Sequence, residues 1–291
     1  MPDGMVGHDD LAATSTERVR EGVPPGSLRH LAVLFSGAPE RSLVEAIYAY
    51  EAELRRIGAA TSHEAAHARL QWWRGELDRL AAGRPSHPLA QALLPLHDHP
   101  AADLALLHEM LVAADLDLAR LTYVTWQELE AYLFRSSGAP QVLIAATLAP
   151  GSGLSPAERE FARRLGAAVR QTEMLFDLER DLARGHLYAP LQGLEGSGVD
   201  PQAFSQRTFT DAARAFVNDW SDRVRQDLAA LPSLLTEPAL RSRQRHGLVL
   251  GALHARWLER LPHAQDTPGS RTELNPLSRL WTAWRTALRH A

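Results

Sequence analysis

Glu173, Asp177 and Asp181 recur every four residues in the run Glu173-Met-Leu-Phe-Asp177-Leu-Glu-Arg180-Asp181-Leu-Ala-Arg184. On a helix this spacing stacks three carboxylates in one stripe, with Arg180 and Arg184 in a second stripe beside it. Like charges one turn apart repel by roughly 0.2–0.5 kcal/mol per pair, so water, arginine or a cation must sit against them. Mg²⁺ takes carboxylate oxygens and keeps open positions for phosphate. A solvated acidic face balanced by arginines one turn away needs no metal. Spacing alone leaves both readings open, and the solvated face is the commoner outcome.

A second pattern with chemistry in it is His63-Glu64-Ala-Ala-His67. It matches H-E-x-x-H, the zinc-hydrolase pattern of two imidazoles one helical turn apart with a glutamate as base. Thr61 and Glu64 also fit a capping box, which places the match at a helix start and gives Glu64 another task. Leu70 stands where the longer zinc motif needs glycine, and no third-ligand signature follows. Capping is the expectation here, with a zinc hydrolase as the minor alternative. Trp72 and Trp73 point about 100° apart on a helix, so one is expected inside and one at a rim. Leu277, Leu280, Trp281, Trp284 and Leu288 form an apolar stripe with arginines beside it. It is expected to pack onto the rest of the protein, with a membrane-surface helix as the alternative.

The elements that position these residues read as helices almost throughout. Ser27 can cap a helix through Phe35, and Pro39 suits a first helical turn. Leu43, Ile47, Tyr50 and Leu54 have helical period. Leu70, Trp73, Leu77 and Leu80 continue it up to Gly83. Further helices fit 87–96, 101–118, 126–135 and 139–149. Ser155, Pro156 and Glu158 form a second capping box that opens a long helix to about Ala183. Residues 185–201 read as a loop, and helices resume at about 208–230, 236–261 and 274–289. No alternating strand pattern and no internal repeat interrupts this order.

The 291 residues, 45% of them hydrophobic, suffice for one large domain. Residues 1–26 are expected to be a disordered arm and 27–291 the helical domain. A net charge of −4 argues against nucleic acid as a partner. Every basic side chain other than histidine is arginine, and there is no cysteine. The first residues hold no apolar core of a signal peptide, and no run approaches the roughly 20 apolar residues of a membrane span. A cytoplasmic protein is expected, with peripheral membrane contact left open.

The acidic run extends into a longer pattern. Asp177-x-x-x-Asp181-x-x-Arg184-Gly185-x-x-Tyr188-x-Pro190, followed by Leu194-x-x-x-Gly198-Val199, resembles the second aspartate-rich motif of the squalene/phytoene synthases. Tyr48-Ala49-Tyr50, Trp72 to Leu77, His87-Pro88, Asp117-Leu118 and Glu128 to Tyr132 follow that family's order upstream. The resemblance covers roughly residues 28–215. It implies an all-α isoprenoid-synthase-type helical bundle with a central apolar cavity. In active members two aspartate-rich helices hold Mg²⁺, which binds the diphosphate of a prenyl substrate and helps it leave. Two C15 or C20 chains, from farnesyl or geranylgeranyl diphosphate, then join head to head. The resemblance makes Asp177 and Asp181 metal ligands and, with Tyr188, catalytic residues. It places Tyr48, Arg55, Arg56, Glu173, Arg180 and Arg184 around the substrate.

The first aspartate-rich motif is missing. Arg55 and Ala59 stand where its aspartates are expected, Phe176 replaces an arginine, and Glu173 replaces an asparagine. A guanidinium repels Mg²⁺. The combination resembles a divergent branch of the family that includes the mitochondrial complex I assembly factor with a phytoene synthase-like domain. It implies a degenerate member that binds an isoprenoid or a protein partner, with an active Mg²⁺-dependent prenyltransferase as the alternative. Arg55, together with Arg56, is expected to pair with the Glu173/Asp177/Asp181 stripe.

Overall fold

The computed structural model describes residue 19 and residues 22–149, 153–261 and 274–290. The described residues are helical, with no strand among them. The expected arm lies outside the described residues up to residue 18 and at 20–21. Its last stretch is held: Val23 is buried, and Gly22 lies so close to the Ala49 backbone that a Cβ there would meet it at 2.3 Å.

Three helices build the first wall. They are α1 (Leu28–Val33), α2 (Arg41–Gly58) and α3 (His63–Ala81). Ser27 caps α1 by accepting from the His30 amide, as expected. The Thr61–Glu64 capping box does not form. Ser62 is the residue before α3, it makes no side-chain cap, and His63, Glu64 and His67 all face solvent. Trp73 is buried and Trp72 is 43% exposed, which divides the tryptophan pair between core and rim. Glu76 is fully buried and accepts from the amides of Ser86 and His87, both at 2.6 Å. These bonds tie the chain into the short helix α4 (Pro88–Ala92) and hold its carboxyl below the usual range despite burial.

Helix α5 (Ala105–Leu118) packs on α2 and α3. Gly58 permits its approach, since a Cβ there would meet the Asp117 Cβ at 2.8 Å. Helices α6 (Trp126–Leu133) and α7 (Ala139–Thr147), expected as separate elements, are joined by a π-type turn at Phe134–Gly138. Pro140 has no amide to donate, and the widened turn just before it absorbs the break.

The long helix α8 (Pro156–Ala183) is the spine of the fold. Its capping box forms as expected: Ser155 Oγ accepts from the Glu158 amide, and Glu158 accepts from the Ser155 amide at 3.1 Å. Gly166 lets α8 lie directly on the π-type turn, where a Cβ would meet the Ser137 carbonyl at 2.3 Å. Gly185, at φ +80°, ends the helix and turns the chain back, so that the His186 amide donates to the Asp181 carbonyl.

The segment read as a loop, 185–201, contains one short helix, α9 (Leu191–Gly196), and a second, α10 (Pro201–Ser205), starts at its end. Helix α11 (Asp211–Leu234) runs through Pro232 and ends two residues later. Helices α12 (Pro238–Arg243) and α13 (Arg245–Leu258) follow, and α14 (Pro276–Arg289) lies on α13 and α1. Helices α2, α7, α8, α11 and α13 enclose one continuous core.

Candidate functional site

Helix α8 turns Glu173, Asp177 and Asp181 toward the interior, and all three are buried. The stripe is therefore not a solvated acidic face. Its charge is met by arginines. Arg55, on the facing helix α2, donates through Nη1 to Glu173 Oε2 at 2.5 Å and through Nη2 to Glu51 Oε1 at 2.7 Å. Arg29, from α1, reaches the same two acids, at 2.7 Å to Glu173 Oε1 and 3.2 Å to Glu51 Oε1. Two guanidinium groups thus clamp two carboxylates across three helices. Burial opposes ionisation of Glu173, but Arg29, Arg55 and Arg170 outweigh it and hold its carboxyl well below the usual range.

Asp177 and Asp181 are treated differently. Arg180, one turn along α8, sits 2.6 Å from Asp177 and 3.3 Å from Asp181. Burial, reinforced by the neighbouring Asp177 charge, raises the Asp181 carboxyl despite Arg170 and Arg180. Arg56 departs from expectation altogether. Adjacent helical residues diverge by about 100°, so Arg56 turns outward and pairs with Glu53 at 2.9 Å, where Arg69 joins it at 2.5 Å.

A second cluster lies one turn up α8. Asp117 Oδ1 accepts from the phenols of Tyr132 at 2.7 Å and Tyr188 at 2.8 Å. Arg170 donates to the same two oxygens, at 2.9 Å and 3.2 Å. Burial and the Asp117 charge push both phenols up, so they remain protonated donors. Asp117, Arg170 and Tyr188 of this network, with Arg55, Asp177, Asp181, Arg180 and Arg184, line a cavity of about 220 Å³. A neighbouring cavity of about 230 Å³ is lined by Arg29, Glu173, His254, Trp257 and Arg279 among others. Both fall below the roughly 300–1,000 Å³ of ordinary ligand pockets.

Aromatic and imidazole side chains fill the space behind them. Phe176 stacks on Trp257 with centroids 4.0 Å apart and planes 2° from parallel. Tyr48 accepts from Gln141 Nε2 at 3.1 Å and lies 3.1 Å from His246 Nε2. Burial lowers His246 to about 3 and His254 to about 4, so both are neutral in the folded protein.

This all-helical frame, with an acidic stripe on its longest helix, agrees with the comparison to protein families. The model of the squalene/phytoene synthase family matches residues 25–281. The chain belongs to this family. It is 28% identical over 165 residues to a 15-cis-phytoene synthase of Synechocystis sp., covering 54% of this chain and 49% of that protein. It is 30% identical over 199 residues to the chloroplastic phytoene synthase 3 of Zea mays, covering 64% and 45%. The chain thus spans about half the length of the curated relatives it matches. Among solved structures, a dehydrosqualene synthase aligns with a TM-score of 0.78 at 16% identity, covering 96% of this chain and 99% of that one. The squalene synthase HpnC of Alicyclobacillus acidocaldarius aligns with a TM-score of 0.69 at 21% identity, covering 86% and 94%. These two likenesses establish the fold.

Of the residues singled out from sequence, the structure brings Arg55, Asp177, Asp181, Arg180, Arg184 and Tyr188 to one mouth, with Glu173 in the lining of the neighbouring cavity and bonded to Arg55. Tyr48 lies deeper, beneath Arg29, whose guanidinium is 5.5 Å from the ring centroid. Arg56 is outside the mouth. Sequence reasoning missed Arg29, Glu51, Arg170, Asp117 and Tyr132 as members of the site. Asp117 and Tyr132 did stand in the segments that follow the family order. Arg29 and Arg170 carried a weaker signal, each a lone arginine among residues of apolar period.

The donor set does not fit the paired metal cluster that the family pattern implies. The α2 wall offers a guanidinium where carboxylates are needed, and Glu51 and Glu173 are already clamped. Among the described residues no three His, Asp or Glu side chains converge on a metal-sized point. His63 and His67 likewise find no third ligand among them.

Proposed function

We propose that this chain binds a single isoprenoid ligand at the arginine-lined mouth and does not condense two prenyl diphosphates. The observation that carries this reading is the clamp of Arg29 and Arg55 on Glu51 and Glu173. It neutralises the acids by guanidinium where the family normally uses Mg²⁺. Arg55, Arg180 and Arg184 would face the anionic head of a prenyl diphosphate, since guanidinium groups suit bidentate contact with phosphate. The packed aromatic interior supports one occupant better than two. The likeness to the complex I assembly branch, and hence a protein partner, rests on the missing first motif and the changes at Phe176 and Glu173, and is the secondary reading. Location in the cytoplasm is part of the same proposal; no described helix is long and apolar enough to cross a membrane.

The alternative of an active synthase is favoured by one observation, the retained Asp177, Asp181 and Tyr188 around the cavity. Incubation with farnesyl or geranylgeranyl diphosphate and Mg²⁺ separates the two. The proposal expects saturable binding without diphosphate release or a C30 or C40 product. Product formation would establish the synthase. Absence of any binding would remove the ligand reading.

A further inference from the structure

Helix α14 inverts the usual arrangement of an amphipathic helix. Its buried residues are the small ones, Ala283 and Ala287, which seat it on the bundle. Its large apolar side chains face outward: Leu277 is 75% exposed, Leu280 51%, Trp281 59%, Trp284 50% and Leu288 56%. The expectation that this stripe packs onto the bundle is therefore overturned, because the alanines supply the contact face. These five make up half of the ten exposed large hydrophobics among the described residues. The other five are spread over the end of α1, α3, α5 and the segment after α5.

The stripe is continuous. At 100° per residue, positions 277, 280, 281, 284 and 288 fall within about 100° of arc. Arg285 and Arg289, both exposed, border it on one side. The helix carries three arginines and no acid, although the chain as a whole has a net charge of −4. Trp281 and Trp284 lie side by side, with ring centroids 5.2 Å apart. Paired tryptophans, leucines and a basic border are the composition of helices that lie in a lipid interface, where indole and guanidinium sit at the headgroup level.

We propose that α14 docks this protein on an anionic lipid surface, with the 277/280/281/284/288 stripe inserted among the acyl chains and Arg285 and Arg289 on the phosphates. A second copy of the chain is a poorer occupant. A two-fold contact through this stripe brings arginines from both helices to one seam, with no acid on either helix to meet them. The orientation is also consistent. Arg279 of the same helix donates to the Gly26 carbonyl at 2.9 Å and lines the cavity that reaches Arg29 and Glu173. Docking through α14 would bring that cavity close to the bilayer. The proposal holds whether or not the chain binds an isoprenoid.

The test is flotation of the full chain with vesicles, without any prenyl ligand. Vesicles of phosphatidylcholine mixed with phosphatidylglycerol should carry the wild type upward, and salt should weaken the binding. Phosphatidylcholine alone should carry much less. The double variant Trp281→Ser/Trp284→Ser should lose roughly tenfold or more of the binding. Arg285→Gln/Arg289→Gln should lose its preference for the anionic vesicles. Because these side chains are exposed, both variants should keep the wild-type melting temperature. Should the serine variant prove unstable, quenching by brominated lipid decides: wild-type fluorescence should be quenched more than that of Trp281→Phe/Trp284→Phe. Wild type that stays with the unbound protein, equal binding of the tryptophan variant, or equal quenching overturns the proposal. So does a dimer that the tryptophan variant converts to monomer without any vesicle binding.

Discussion

Around Glu173, two carboxylates meet two guanidinium groups. Around Asp117, one turn further along α8, a single carboxylate accepts from two phenols that Arg170 also holds. Both clusters are buried, and both sit between α8 and the helices facing it. The first is met by full charges, with Glu51 Oε2 and Arg55 Nε left without a hydrogen-bond partner among the described residues. The second uses neutral donors and leaves one side open to the cavity with Asp177 and Asp181. The first lies where the chain departs from its family's pattern, and the second is built from segments that keep it. On the reading proposed above, arginine neutralises an acidic wall that faces no second aspartate-rich helix.

Removing the shared acid should separate the clusters most sharply. Glu173→Leu leaves Arg29 and Arg55 with one acceptor fewer in a largely dry site. Breaking such a pair from one side costs about 3 kcal/mol or more, far beyond the small net value of the pair itself. Urea unfolding should show this as a fall in midpoint without a change in slope. In the second cluster, Asp117→Asn keeps the shape and one acceptor oxygen, and should cost roughly 1–2 kcal/mol. Equal losses for the two variants would mean that charge matters alike in both, and the distinction drawn above would fail.

Acid should act on the stripe in opposite directions. The folded carboxyl of Glu173 lies well below its ordinary value of 4.5. Its stabilisation is therefore complete above pH 4.5 and is lost only as pH falls through that lower folded value. Asp181 is raised above its ordinary 3.8. Its charge penalises the folded state at neutral pH, and the penalty is relieved as pH falls below the raised value. Asp181→Asn should thus raise the neutral-pH melting temperature slightly, and the gain should vanish in acid. His246 and His254 supply a common background. Their folded values of about 3 and about 4 lie below the ordinary 6.5, so stability declines from pH 6.5 downward in every variant. Melting curves read as differences from wild type remove that background. A gain for Asp181→Asn that persists in acid would contradict the sign assigned here.

The helical frame was legible because helical period and the Ser155–Glu158 cap are local signals. So was the facing of Arg55 and Glu173, through the family geometry. Other features were not legible, for physical reasons. Arg29 comes from a helix 144 residues away in sequence from Glu173, and no spacing rule links them. The Asp117 network joins α5, α6, α8 and the turn after it, so its convergence exists only in three dimensions. The Thr61–Glu64 box was misplaced because the chain turns one residue later, at Ser62. The stripe on α14 announced an amphipathic helix correctly. An apolar stripe does not say which face is covered, and here Ala283 and Ala287 decide it.

The central claim is that arginine stands in for metal at this mouth, and thermal melting of wild type and Arg55→Asp, each with and without Mg²⁺ plus inorganic diphosphate, tests it most directly. Arg55→Asp replaces the clamp with a third carboxylate beside Glu51 and Glu173, so it should melt lower alone and recover when Mg²⁺ and diphosphate are added. Wild type should show no such rise. A strong stabilisation of wild type by Mg²⁺ plus diphosphate would contradict the account and put the metal-dependent synthase in its place.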